Sequence, residues 1–135
     1  MKHAFAAFAA GFFATLCFHQ PALWLLNLFD FVARAPYAMK GVPPFGVPAV
    51  ISLSFWGGIW GIILVAALGR LRRNFILAST VFGAIFPTLA ARFIAAPLKG
   101  ETMAVTPKLI AVGLIVNAAW GLGTAILYRV FLGKK

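Results

Sequence analysis

Acidic residues are nearly absent from this sequence. Its 135 residues include two Asp or Glu against twelve Lys or Arg, and charged residues of both signs make up 10% of the chain. Soluble domains carry about 25% charged residues. Since no carboxylate lies within the long apolar segments, a proton-coupled exchanger that works through a membrane-embedded acid is not expected.

Cysteine and histidine are equally scarce. The single cysteine, Cys17, allows no internal disulfide and no cysteine-based zinc site. Redox enzymes of the quinone-linked thiol type need cysteine pairs, which this sequence does not have. Haem held by two histidines would need a membrane partner for His19, and the only other histidine, His3, lies at the start of the chain. The sequence therefore predicts no metal site and no cofactor, and a membrane enzyme ranks behind the functions considered below.

Apolar residues are abundant and make up 63% of the chain. They fall into four continuous blocks at residues 4–26, 47–69, 74–96 and 107–132. Each block is long enough to cross about 30 Å of hydrocarbon as an α-helix. Because the blocks are continuously apolar rather than alternating, helices are favoured over barrel strands. The prediction is an all-α, four-span membrane bundle that forms one domain over residues 1–135.

The basic residues lie mainly between the apolar blocks and form no basic face on any one helix, so nucleic acid is not an expected partner. Their positions predict orientation instead. The turn at residues 70–73 contains three arginines and, in a four-span bundle, lies on the same side as both termini. Because such compact basic groups are retained in the cytoplasm, both termini are predicted to be cytoplasmic.

Two segments of the chain share a pattern. Residues 13–19 read Phe-x-Thr-Leu-x-x-His, and residues 86–92 read Phe-x-Thr-Leu-x-x-Arg. Each segment is followed by a proline and then by a Trp-Gly-aliphatic sequence. Two repeated helical hairpins are one interpretation, which would pair His19 with Arg92 across a pseudo-twofold axis. Chance similarity between helices rich in Phe, Leu and Gly is the other.

Polar side chains within the blocks are concentrated in the predicted non-cytoplasmic half of the bundle. Each needs a partner or a wet cavity, because an unpaired polar group is costly in hydrocarbon. One interpretation is a hydrated vestibule lined by His19, Gln20, Ser54, Arg92 and Asn117. The alternative explains each residue separately: Arg92 reaches the headgroups, Ser54 bonds a backbone carbonyl one turn back, and Asn117 joins two helices. In this alternative, His19 and Gln20 mark the approach to the membrane interface.

Small residues line one face of several blocks, which allows close approach between helix backbones. The glycines predicted to pack helices together are Gly57, Gly58, Gly61, Gly83, Gly113 and Gly121. Trp56, Trp60 and Trp120 lie too deep for a belt of interfacial aromatic residues. At least some of these tryptophans are therefore expected to fill the bundle.

Four stretches of the sequence form a familiar combination: His19-Gln20, Ala35-Pro36, Gly46-Val47-Pro48 and the segment 52–61, which reads Ser-Leu-Ser-Phe-Trp-Gly-Gly-Ile-Trp-Gly. With these stretches the sequence resembles an uncharacterised family of small four-helix bacterial inner-membrane proteins. The resemblance spans most of the chain and implies no activity.

Two functions fit these observations. The first is a small transporter or channel-like protein for a small solute. The polar and basic residues indicate that this solute would be an anion. The second is a non-catalytic accessory or assembly subunit of a larger membrane complex. The expected location is the bacterial inner membrane. The expected partners are the lipid bilayer and either further copies of the chain or other membrane proteins.

Overall fold

The computed structural model describes residues 1–71, 73–98, 100 and 105–133. Within this part of the chain, four helices are long and apolar enough to cross a membrane: α1 (Lys2–Leu28), α2 (Ala49–Leu68), α3 (Phe75–Leu98) and α4 (Pro107–Phe131). The prediction of an all-helical fold with four long apolar helices is confirmed. The helix ends lie within two residues of the predicted ones. Arg72, in the turn used to predict orientation, lies outside the described residues.

The start of α4 is determined by the residues next to it, a capping threonine and a proline in the first turn. The Thr106 hydroxyl caps the helix by accepting a hydrogen bond from the Leu109 N–H at 3.3 Å. Pro107 occupies the first turn, where its missing N–H removes no helical hydrogen bond. A proline also marks the start of α2, but here it precedes the helix: Pro48 has an extended backbone, with ψ 136°, and the helix begins at the next residue.

The four helices pack as two antiparallel hairpins, α1 with α2 and α3 with α4. The hairpins meet mainly through α1 and α4, which run along each other at the centre of the bundle. α2 and α3 touch at few positions. The contact between the two hairpins is therefore extensive along α1 and α4 and sparse between α2 and α3.

The first hairpin is held by a glycine crossing. A Cβ placed on Gly11 would collide with the carbonyl oxygen of Gly57 and would lie 3.0 Å from the Cα of Gly61. A Cβ placed on Gly61 would collide with the carbonyl oxygen of Ala7 and would lie 3.1 Å from the Cα of Gly11. The backbones of α1 and α2 can approach this closely only because these positions have no side chain.

The second hairpin crosses with the same geometry. A Cβ on Gly83 would lie 2.6 Å from the Asn117 carbonyl oxygen and 2.7 Å from the Cα of Gly121. A Cβ on Gly121 would collide with the Ser79 carbonyl oxygen and would lie 3.1 Å from the Cα of Gly83. Gly121 is the glycine of the second Trp-Gly-aliphatic sequence, as Gly61 is of the first. The two hairpins thus cross through equivalent glycines.

The other predicted packing glycines face mainly side chains. A Cβ on Gly58 would lie 2.5 Å from the Phe8 ring, and one on Gly113 would lie 2.8 Å from the Thr88 methyl group. Gly57 faces both the Thr15 hydroxyl and the carbonyl of Gly11.

Trp120 fills the centre of the bundle. It is 2% exposed, and its indole Nε1 donates a hydrogen bond to the Gly11 carbonyl oxygen at 3.0 Å. The Thr15 hydroxyl donates to the same oxygen at 3.1 Å. Trp60, of the first Trp-Gly-aliphatic sequence, packs edge-on against Phe82 of α3. The indole of Trp120 therefore ties α4 to the point where α1 crosses α2.

Hydroxyl groups inside the helices mostly bond their own backbone. Ser54, Thr80 and Thr124 each donate to the carbonyl four residues earlier, at 2.8–2.9 Å. This is the usual way for a hydroxyl to be satisfied in an apolar helix. Among the described residues, the buried Ser79 Oγ has no hydrogen-bond partner.

Candidate functional site

The chain reverses direction after α1 and returns along it. The Phe31 amide donates to the Leu26 carbonyl at 2.9 Å, and the Asn27 side chain donates to the Val32 carbonyl at 2.9 Å. These bonds close a tight turn at the end of the helix. The segment 29–40 then runs back beside α1; we call this segment the return loop.

A short β-hairpin connects the return loop to α2. Its strands, β1 (Gly41–Val42) and β2 (Val47–Pro48), pair in antiparallel fashion. The amide of Val50, in the first turn of α2, donates to the Ala38 carbonyl at 3.0 Å. The return loop is therefore anchored at both ends, against α1 at one and α2 at the other.

Tyr37 connects the return loop to α1 through the buried Gln20 side chain and a backbone carbonyl. Its backbone N–H donates to Gln20 Oε1 at 2.6 Å, and its hydroxyl donates to the Leu16 carbonyl at 2.8 Å. Gln20 is 3% exposed, and its Nε2 lies 3.3 Å from His19 Nδ1. We call His19, Gln20, Arg34 and Tyr37 the Gln20 cluster.

Arg34 supplies the positive charge of this cluster. It lies close enough to His19 for the two side chains to interact electrostatically. Together with Gln20 and Ala38 it lines a cavity of about 10 Å³ whose other walls are apolar. Such a cavity has room for about one water molecule. The Gln20 end of the site is therefore closed in this conformation, with the return loop as its cover, whereas the Arg34 side chain is exposed.

An irregular turn of α1 lies next to the cluster. Residues Thr15–His19 are wound as a π-helix, and the Gln20 amide donates to the Thr15 carbonyl five residues back. A second π-helical turn, Ala91–Ala95, occurs in α3. Both turns are followed by a proline after one intervening residue. Such wide turns are rare and are frequent at functional sites.

A second polar group joins α3 to α4. Asn117 Nδ2 donates to the Thr88 hydroxyl at 2.9 Å. One turn further along α3, Arg92 Nη2 donates to the Leu109 carbonyl at 3.4 Å. These bonds connect the two helices of the second hairpin within its apolar surroundings, as interhelical polar contacts do in membrane bundles.

The five predicted site residues thus lie in three places. His19 and Gln20 belong to the Gln20 cluster, and Arg92 and Asn117 belong to the second hairpin. Ser54 is fully buried, and its hydroxyl bonds the carbonyl four residues earlier. A single vestibule shared by all five residues stays a prediction.

Sequence reasoning did not select Arg34 or Tyr37 as site residues. Both lie in an irregular loop, where no periodicity indicates which side chains turn inward. Pro21 offered the one local signal, because a proline within a helix disturbs the backbone bonding of the preceding turn. That signal identifies a position in α1 but does not identify the loop residues that bond to the helix there.

The described residues contain no group of three His, Cys, Asp or Glu side chains placed to hold a metal ion. The chemistry available at the Gln20 cluster is hydrogen bonding and charge attraction, from an amide, an imidazole, a guanidinium and a phenol. Comparison with protein-family models, with curated proteins and with solved structures finds no match to this chain.

Proposed function

We propose that this chain is an integral membrane protein that crosses the bacterial inner membrane four times, with both termini in the cytoplasm. The apolar surface supports this proposal. In each of the four helices, only 17–33% of the most apolar window is buried within the protein. Large side chains such as Trp56, Leu77 and Phe86 are 52–67% exposed. Contiguous apolar surface on this scale is unfavourable in water and matches the hydrocarbon of a bilayer.

Within the membrane, the protein acts as a small transporter or channel-like protein for a small solute. The observation that carries this proposal is the burial of Gln20 beside Arg34, beneath the return loop and the first turns of α2. Buried polar groups cost stability unless they are satisfied, and Gln20 is satisfied here by a loop residue, Tyr37, and by the neighbouring His19. The guanidinium of Arg34 favours an anionic solute, because it is a fixed charge that donates several hydrogen bonds.

The packing of the hairpins fits a protein that changes shape. The two hairpins are a structural repeat in this proposal, and they meet mainly along α1 and α4. The loose contact between α2 and α3 leaves one hairpin free to rock against the other. Rocking of repeated units about a central site is a common way to expose that site to each side of a membrane in turn.

The experiment is a melting curve of the purified protein in detergent at constant ionic strength, with chloride, acetate or phosphate as the probe anion. A ligand that binds only the folded state raises the melting temperature. We expect stabilisation by acetate or phosphate in the wild type and in the Lys40→Gln control, which removes an exposed charge of the same loop region. Arg34→Gln is expected to remove the effect.

Two results would contradict this proposal. One is that neither acetate nor phosphate stabilises the wild type beyond chloride. The other is that Arg34→Gln responds as the wild type does, since the anion would then bind elsewhere.

A specific observation favours the second function, an accessory subunit of a larger complex. α3 is 17% buried over its apolar window, about half of the 33% found for each of the other three helices. Its outer face is therefore the most open surface for a partner helix. Purification in mild detergent separates the two functions: a stoichiometric foreign subunit favours the accessory role, and a protein free of other subunits favours the transporter.

A further inference from the structure

The Leu16 carbonyl lacks the donor that a regular helix would provide. In an α-helix it would accept from the Gln20 amide, but this amide donates to the Thr15 carbonyl instead. The next amide position belongs to Pro21, which has no N–H. The combination of a π-helical turn and a proline therefore leaves a backbone acceptor on α1 that needs a donor from outside the helix.

Tyr37 supplies that donor and a second one. Its hydroxyl bonds the Leu16 carbonyl, and its N–H bonds the side-chain oxygen of Gln20. Two acceptor oxygens on neighbouring turns of α1 are thus occupied by two donors of one residue. A solute with suitably placed O–H or N–H groups offers the same donors.

Several features make Tyr37 a displaceable occupant. Its side chain is 44% exposed, so its ring is not held by a packed core. Its backbone has φ 51°, in the left-handed region that is unfavourable for a residue with a large side chain. Two hydrogen bonds hold it in this conformation, and the loop is anchored independently through the Ala38 carbonyl. Tyr37 can therefore leave while the loop keeps its attachment to α2.

We infer that Leu16 and Gln20 form a hydrogen-bond-accepting subsite that Tyr37 occupies when the protein is closed. The inference rests on the proposed solute site and narrows its ligand: the solute carries an O–H or N–H donor in addition to the negative charge that faces Arg34. A small hydroxylated or amino-bearing carboxylic acid has this chemistry. Tyr37 is then both the cover of the site and a mimic of the bound solute.

Chemical rescue of the Tyr37→Gly protein tests the subsite. Glycine adopts a positive φ without strain, so this variant removes the phenol and keeps the loop conformation accessible. The lost hydroxyl bond lowers the stability of this variant and the relief of backbone strain raises it, so the deciding quantity is the shift that an added probe causes in each protein. Phenol, used as the probe, should raise the melting temperature of the Tyr37→Gly protein more than that of the wild type. Toluene has the same ring without the hydroxyl, so it should not stabilise the Tyr37→Gly protein more than the wild type.

The Tyr128→Phe protein is the matched control, because it loses the hydroxyl of the only other tyrosine. It should respond to phenol as the wild type does. If phenol and toluene act alike on the Tyr37→Gly protein, the subsite does not accept a hydroxyl and the inference fails.

A second measurement decides the question if Tyr37→Gly does not fold. A cysteine at position 38 lines the cavity, and Cys17→Ala removes the only native thiol. In this Ala38→Cys background, Tyr37→Phe should raise the rate of labelling by a water-soluble maleimide about tenfold. The reason is that the variant loses the hydrogen bond from the Tyr37 hydroxyl to the Leu16 carbonyl, which helps to keep the return loop closed. Equal rates with and without Tyr37→Phe would show that the tyrosine hydroxyl does not close the site.

The outcomes also separate this inference from the proposed function. Arg34-dependent stabilisation by acetate or phosphate, together with failed phenol rescue and unchanged labelling, would refute the subsite and leave the proposed function. Phenol rescue and faster labelling in a protein that none of the anions stabilises would refute the anion site and leave the hydroxyl-accepting subsite.

Discussion

Replacing Gly11 by leucine is expected to lower the free energy of unfolding by about 3 kcal/mol, because the new side chain would force α1 away from α2. Even the first atom of that side chain would collide with the Gly57 carbonyl oxygen, which belongs to a helix backbone and cannot rotate away. The measurement is unfolding of the purified protein in mixed detergent micelles. The control is Ala4→Leu, which creates the same side chain at an exposed position of the same helix.

The control should change the free energy of unfolding by about 0.5 kcal/mol or less. Gly83→Leu should match Gly11→Leu, since it occupies the equivalent place in the second hairpin. If Gly11→Leu were as stable as Ala4→Leu, the close crossing of the first hairpin would be wrong.

Truncating Trp120 to alanine is expected to cost about 3–5 kcal/mol, the range for removing a large aromatic side chain from a packed interior. The side chain is 2% exposed and supplies a hydrogen bond to Gly11 in the centre of the bundle. Trp56→Ala is the control, because that side chain is 59% exposed and should cost far less. Thermal melting of the two variants in the same detergent measures the difference.

A third variant separates packing from hydrogen bonding. Trp120→Phe keeps a ring and removes the indole donor, so it should lose about 1–2 kcal/mol of the total. Equal losses for Trp120→Ala and Trp56→Ala would contradict the central position of Trp120, because an exposed and a buried tryptophan cannot contribute alike to the core.

The helices could be predicted from the sequence because each corresponds to a long, continuous apolar block, and no single residue decides the prediction. Each apolar block has more than enough residues to cross 30 Å of hydrocarbon as a helix, and features such as Pro107 after Thr106 indicate a helix start. The glycines of the two Trp-Gly-aliphatic sequences, Gly61 and Gly121, can also be predicted from their spacing. Gly11 was missed, although it stands in a small-residue spacing with Ala7 and Thr15.

The Gln20 cluster could be predicted only in part. Polar residues in an apolar block are conspicuous, so His19 and Gln20 were selected. The identity of their partners depends on the path of a loop, and that path is set by hydrogen bonds over many residues rather than by a local pattern. The donor–acceptor pair of Tyr37 and Leu16 arises from a π-helical turn, which the residue pattern does not reveal.

The tryptophans illustrate the same limit. Their depth in the blocks indicated that some would pack inside the bundle, and Trp120 does. Which of them turns inward depends on the rotation of each helix about its own axis. That rotation is set by the glycine crossings, and it leaves Trp56 on the outer surface.

The central claim, a four-span protein whose return loop and α2–α3 turn lie on opposite sides of the membrane, is tested most directly by thiol labelling in spheroplasts. In a Cys17→Ala background, Lys40→Cys places a single thiol in the exposed segment before β1, and Arg73→Cys places one in the exposed turn between α2 and α3. A membrane-impermeant maleimide should label position 40 in intact spheroplasts and position 73 only after the membrane is permeabilised. Labelling of both positions in intact spheroplasts, or of position 73 alone, would contradict the account.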